Sequence, residues 1–203
     1  MSTPIDICNL ALGHIGKPEI SSFEEASAEA RECRRFYNQT RRAFLQGSDW
    51  TFARRRQALA EVTNDYGERW GYKYSRPSGI LKMLRVLPPN TDLRQNPRPI
   101  RFEVREGAVF ADIPHAVAEF IVDLTDTTRF GALAVDALAF ALAHRIARPL
   151  TKSTKITAEM KDEAREYMSL AIEADASQDV GRYSYDADTI IDRENRPSPF
   201  WGN

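Results

Sequence analysis

The chain has 203 residues, 42% of them hydrophobic and 28% charged, proportions that exclude a disordered or fibrous protein and suit one globular domain with at most an appendage. Lys plus Arg number 28 and Asp plus Glu 29, so neither a basic nucleic-acid coat nor an acidic solvating chain is indicated. The balance hides a split, because residues 1–110 carry 18 basic and 13 acidic side chains whereas residues 111–203 carry 10 and 16. Two halves that attract each other would show this pattern, and so would a subunit offering opposite charges to different neighbours.

The first helix is expected over residues 4–15. Thr3 caps it, Pro4 takes the first helical position, and Asp6 answers the cap. Ile5, Cys8, Leu12 and Ile15 give it one apolar stripe, and Gly16-Lys17-Pro18 stops it. A second helix is expected over 23–45, opened by a capping box of Ser22 and Glu25 and buried along Ala26, Ala30, Cys33, Phe36 or Tyr37, Thr40 and Phe44. From Trp50 the period changes to two. Residues 50–124 read as an inserted region: a short strand or extended arm at Trp50–Ala53, an edge segment through Trp70, Tyr72 and Tyr74 limited by Pro77, and an unassigned apolar run from Ile80 to Leu87. A hairpin follows through Phe102, Val104 and Val109–Ile113 about Glu106-Gly107, then a strand through Phe120, Val122 and Leu124.

A third helix is expected over 128–147, ended by Pro149. Phe130, Leu133 and Phe140 lie on one side and Val135, Leu138, Leu142 and Ile146 on nearly the opposite one, so it should be sandwiched, with alanines allowing close approach. A fourth, over 157–178, carries Met160, Ala164, Tyr167 and Ala171. The fold class expected is mainly α (α+β): a bundle of about four helices with a small inserted antiparallel sheet, making one domain over 1–179. Residues 180–203 lack a helical stripe and combine Tyr183, Tyr185, Phe200 and Trp201 with acids, which reads as an extended arm that docks on a partner.

The start lacks the basic opening and apolar run of a secretory signal, and no segment approaches the roughly 20 apolar residues of a membrane span. Cys8 and Cys33 fall on apolar helix faces, which points to a reducing compartment rather than a disulfide framework. His14, His115 and His144 are isolated and read as structural. Neither a phosphate-binding glycine loop nor a nucleophile elbow is present, so the reading is of a protein that is not an enzyme and that needs no cofactor or metal. Arg54-Arg55-Arg56, beside Trp50 and Phe52 and after Arg41-Arg42, could hold phosphates and stack bases, or pair with carboxylates across a subunit interface. A less favoured alternative is a small α-rich hydrolase with Asp136 and Glu119 in a cleft.

The run Ile7-Cys8-Asn9-Leu10-Ala11-Leu12-Gly13-His14-Ile15-Gly16-Lys17-Pro18-Glu19-Ile20-Ser21-Ser22-Phe23, then Ala30 to Tyr37, Leu45 and Trp50-Thr51-Phe52-Ala53, resembles the head-to-tail adaptor proteins of short-tailed bacteriophages, also called tail tubular protein A. Tyr72 to Pro77, the Phe102 to Asp112 hairpin and Leu138 to Leu150 are similar to the same family in the same order. The resemblance covers about residues 5–179. It implies a virion protein of the neck or tail, present in the host cytoplasm during assembly. Its copies, commonly twelve, would form a ring below the portal protein, bind a tail nozzle or other tail protein, and pass DNA non-specifically through the lumen, with no membrane contact. For such a ring, Tyr183, Tyr185, Phe200 and Trp201 are the expected portal contacts, and Arg54, Arg55 and Arg56 are candidates for the subunit interface or the DNA channel.

Overall fold

Thr3, Pro4 and Asp6 form the anticipated start of the first helix. The Thr3 hydroxyl accepts from the Asp6 N–H at 3.2 Å, and the Thr3 N–H donates to the Asp6 carboxylate at 2.8 Å. In the computed structural model, which describes residues 2–67, 69–91 and 100–178, this helix is α1 (Pro4–His14). It is joined by α2 (Ala28–Gly47), α3 (Ala132–Thr151) and α4 (Thr154–Ser177). Between α2 and α3 run β1 (Arg54–Ala58), β2 (Glu61–Val62), β3 (Tyr72–Ser75), β4 (Ile80–Leu87), β5 (Phe102–Arg105), β6 (Ala108–Ala111) and β7 (Val117–Val122). Among the described residues no helix is long and apolar enough to cross a membrane.

The helical bundle with one small insert is corrected by these strands. They build two antiparallel sheets, one ordered β1-β7-β4 and the other β2-β3-β6-β5, so the fold is an α+β mixture. The sheets pack face to face over Tyr74, Val109 and Ala111 on one side and Val86, Ala118 and Phe120 on the other. Ile121 alternates to the opposite face of β7 and enters the helical core with Trp50, Leu45 and Leu138. The three-stranded sheet is therefore the middle of three layers. Irregularity hid much of it from the sequence: register shifts within β4, between Ile80 and Lys82 and between Met83 and Arg85, disrupt the period-two pattern.

The helix boundaries move for local reasons. The second helix begins at Ser27 rather than Ser22, because Glu25 folds back to accept from the Ser21 N–H and hydroxyl while the Ser27 hydroxyl accepts from the Ala30 N–H. Gly131 caps α3 after a single 3-10 turn at Thr127–Arg129, and α3 carries Pro149 within its last turn. It ends at Lys152, left-handed at φ 56°. Ser153 caps α4 three residues ahead of the expected start. Trp50–Ala53 is a turn rather than a strand, with the indole N–H donating to the Phe44 carbonyl at 3.0 Å. Tyr72 and Tyr74 lie on β3, which is paired on both sides; Pro77 falls beyond the strand and does not make it an edge. The hairpin appears as expected, with Glu106 and Gly107 both at positive φ in its turn.

The sandwiching of α3 is satisfied within the chain. Its sides pack against α1, α2 and α4, and Ala134, Ala137, Ala139, Ala143 and Ala147 are all buried. Gly47 leaves room for the end of the Met168 side chain from α4, since a Cβ there would stand 2.8 Å from Met168 Cε.

Candidate functional site

The arginines singled out above do not form one basic face. The β1–β7 register places Arg54 opposite Ile121, Arg55 opposite Phe120 and Arg56 opposite Glu119, so alternation sends Arg54 and Arg56 to the face of Glu119 and Arg55 to the other. Arg85 on β4 stands opposite Glu119 from the far side. The Glu119 side chain, 2% exposed, lies 3.4 Å from Arg54 Nε and 2.9 Å from Arg85 Nη2; Arg85 Nε also donates to it at 2.9 Å. Arg54 Nη2 donates in addition to the Asp49 carbonyl at 2.8 Å. Glu119 is thus a buried counter-ion for two guanidiniums. Arg55 donates to the Arg54 carbonyl, and exposed Arg56 donates to the Thr91 carbonyl at 3.2 Å.

A second such cluster ties α2 to the chain after β7. Arg41, 3% exposed, meets Asp123 at 2.8 Å and donates to the Leu124 carbonyl, while Arg42 reaches the other Asp123 oxygen at 3.3 Å. In both clusters the bases come from the first half of the sequence and the acid from the second. Part of the charge split is therefore met inside the fold, with two acids of the second half holding four arginines of the first.

The acids named for a hydrolytic cleft are not brought together as a working pair. Glu119 is committed to arginines, whereas Asp136 lies on α3 near His14, whose ring stacks on Phe140 at 3.9 Å. Desolvation in that stack lowers the His14 pKa, and the Asp136 and Glu163 carboxylates oppose the shift. His144 Nδ1–H donates to the Thr157 carbonyl at 3.1 Å, tying α3 to α4. Cys8 and Cys33 are buried free thiols on α1 and α2; the hydrogen bond of Cys8 to Cys33, then burial, push the Cys8 thiol far up. Among the described residues no group of three or more His, Cys, Asp or Glu side chains could hold a metal ion.

The feature that sequence reasoning missed is a groove of about 470 Å³ between α2, α3 and α4. Phe44, Ala137, Ala141 and Met168 contribute apolar lining, and His144, Arg145, Lys161 and Arg165 supply polar or positive groups. No carboxylate lines it among the described residues. Its one legible signal was the run of alanines on the third helix. Small side chains there leave a channel rather than a filled seam. A second recess, about 380 Å³, lies at the start of α3 beside Phe52, Arg129 and Asp175. The Asp175 carboxylate there is engaged by the Thr51 N–H at 2.8 Å and hydroxyl at 2.6 Å.

Asn9, inside the longest of the runs quoted above, has a structural role: its amide accepts from the Ile20 N–H at 2.9 Å and donates to the Ile20 carbonyl at 3.1 Å, clasping the segment after α1. Tyr183, Tyr185, Phe200 and Trp201 lie outside the described residues. In comparisons with known proteins, the chain matches no family model and no curated protein.

Proposed function

We propose that this chain is a structural subunit of a head-to-tail adaptor ring in a short-tailed phage, joining the portal to the tail and extending the channel through which DNA passes. The observation that carries the reading is the order of the adaptor-like runs, from Ile7 through Leu150. They fall on α1, α2, β3, the β5–β6 hairpin and α3, successive parts of one α+β body. The residues with chemical potential support a structural role too, since Glu119, Asp123, Arg41, Arg54 and Arg85 hold layers together through buried ion pairs. In this reading Tyr183, Tyr185, Phe200 and Trp201 contribute portal contacts, while exposed Arg56 is available to a neighbouring subunit or to the channel. The engagement of Arg54 with Glu119 weighs against a DNA-binding module built on the three arginines together.

Light scattering of the purified chain with and without rings of its phage's portal protein tests the proposal. A monomer that becomes a ring-sized complex only on the portal is the expected result. A chain that leaves portal rings unchanged, yet binds duplex DNA with steep salt dependence, would replace the adaptor with the DNA-binding module.

A further inference from the structure

The groove between α2, α3 and α4 combines two properties rarely left open to water: an apolar floor and a rim of one sign of charge. Phe44 and Met168 line the floor, and Arg145, Lys161 and Arg165 supply the positive charge. Arg165 has a partner in Asp162, 3.6 Å away, but both side chains are well exposed, so that pair holds Arg165 weakly. An occupant that complements the groove needs apolar side chains interleaved with carboxylates and lacking cations.

One stretch of this chain has that composition and begins five residues after Gln178, the last described residue. Tyr183-Ser184-Tyr185-Asp186-Ala187-Asp188-Thr189-Ile190-Ile191-Asp192 holds two tyrosines, two isoleucines and three aspartates, with no Lys or Arg. It follows α4, whose earlier turns line the groove. From Met168 to Gln178 the helix rises by about 15 Å. The residues from Gln178 to Tyr183 extend to about 17 Å, enough to bring Tyr183 back beside Met168. A chain extended back along α4 would cover the distance to Lys161, some 26 Å from Gln178 along the helix axis, well before Asp192.

We infer that the segment Tyr183–Asp192 docks into the groove of its own chain, setting its tyrosines and isoleucines on the floor and its aspartates against Arg145, Lys161 and Arg165. The inference concerns the free chain and does not rest on the adaptor reading. If both hold, the segment leaves the groove when the portal takes it.

Photo-cross-linking of the full chain tests this, with a benzoylphenylalanine replacing Tyr185 and the products mapped by mass spectrometry on an equal mixture of isotopically light and heavy chains. The expected products join position 185 to groove peptides carrying Met168, Ala141 or Phe44, each light-to-light or heavy-to-heavy. In Arg145→Glu/Lys161→Glu, whose substitutions sit on the rim, the yield falls by roughly fivefold at low salt, the product of two reversed ion pairs within reach of water. Raising the salt lowers the yield of the unsubstituted chain in the same direction. Mixed light–heavy products would overturn the inference in favour of a second copy as occupant. Cross-links outside the groove, or a yield indifferent to the double reversal, would also overturn it.

Discussion

The middle sheet and the groove between α2, α3 and α4 both gather cations, but only the sheet buries an acid among them. At the sheet, Glu119 sits between Arg54 and Arg85 with its side chain almost wholly removed from water. At the groove, Arg145, Lys161 and Arg165 border an apolar floor with no lining carboxylate among the described residues. In a sequence the two sets look alike, and the triplet Arg54-Arg55-Arg56 looks the stronger. Position reverses that order: paired charge is part of the scaffold, and unmatched charge beside apolar surface is what remains to recruit something.

If that contrast is right, the largest loss comes from the buried acid. Glu119→Ala leaves two guanidiniums, 17% and 15% exposed, facing each other without their counter-ion and should cost about 3 kcal/mol in chemical denaturation. A loss below about 1 kcal/mol would mean that water reaches the sheet and that the cluster is not structural. Asp123→Ala should cost less, about 2 kcal/mol, because Arg41 keeps the Leu124 carbonyl and Arg42 is already half in water. Equal losses at the two sites would erase the distinction between a carboxylate held by two inner arginines and one held by an inner and an outer arginine.

Tyr37 sharpens the comparison from the apolar side. Its hydroxyl is buried in the helical layer with no hydrogen-bond partner among the described residues, and burial pushes its pKa up to about 12 from 10.0, with Arg41 opposing the shift. In the unfolded chain the proton leaves near 10.0, so between those values the folded state binds more protons. Stability therefore falls as pH rises through that window. Comparing denaturation of the native chain with Tyr37→Phe isolates the effect: the native chain should lose about 2 kcal/mol more between pH 10 and 12. At pH 7 the variant should be equal or up to about 1 kcal/mol more stable, since an unpaired buried hydroxyl is removed. A destabilised variant at neutral pH would show that the hydroxyl has a partner after all.

How far the sequence reached depends on whether a signal is local. The α1 cap needs only Thr3, Pro4 and Asp6, and the β5–β6 turn needs only a residue pair that accepts positive φ, so both could be read from a few neighbours. The Ser22 box failed because two local signals competed: Glu25 turned back to Ser21, and Ser27 offered a cap nearer the helix-forming run. The division of the strands into two sheets, and the strands β1, β2 and β4, were out of reach for a different reason. Bulges disrupt β4, β1 opens on three arginines, and β2 has two residues, so pairing across the chain rather than pattern along it makes them strands. Of the candidate site, the arginines were legible as residues but not as partners of Glu119, which lies more than sixty positions away from Arg54. The groove needed three helices in place before its alanines could read as an opening.

The smallest effect is the sharpest test of that opening. Arg145→Glu/Lys161→Glu should change stability by less than about 0.5 kcal/mol, because Lys161 is exposed, Arg145 is half-buried at the rim, and no carboxylate among the described residues lines the groove to hold the helices through them. A loss approaching that of Glu119→Ala would mean the rim cations already hold the helices together, and the groove would then be scaffold like the sheet. A near-zero change in stability, together with a large fall in cross-linking from position 185, would separate the two regions completely: the same kind of side chain would be indispensable to folding in one and dispensable in the other, where its work is recognition.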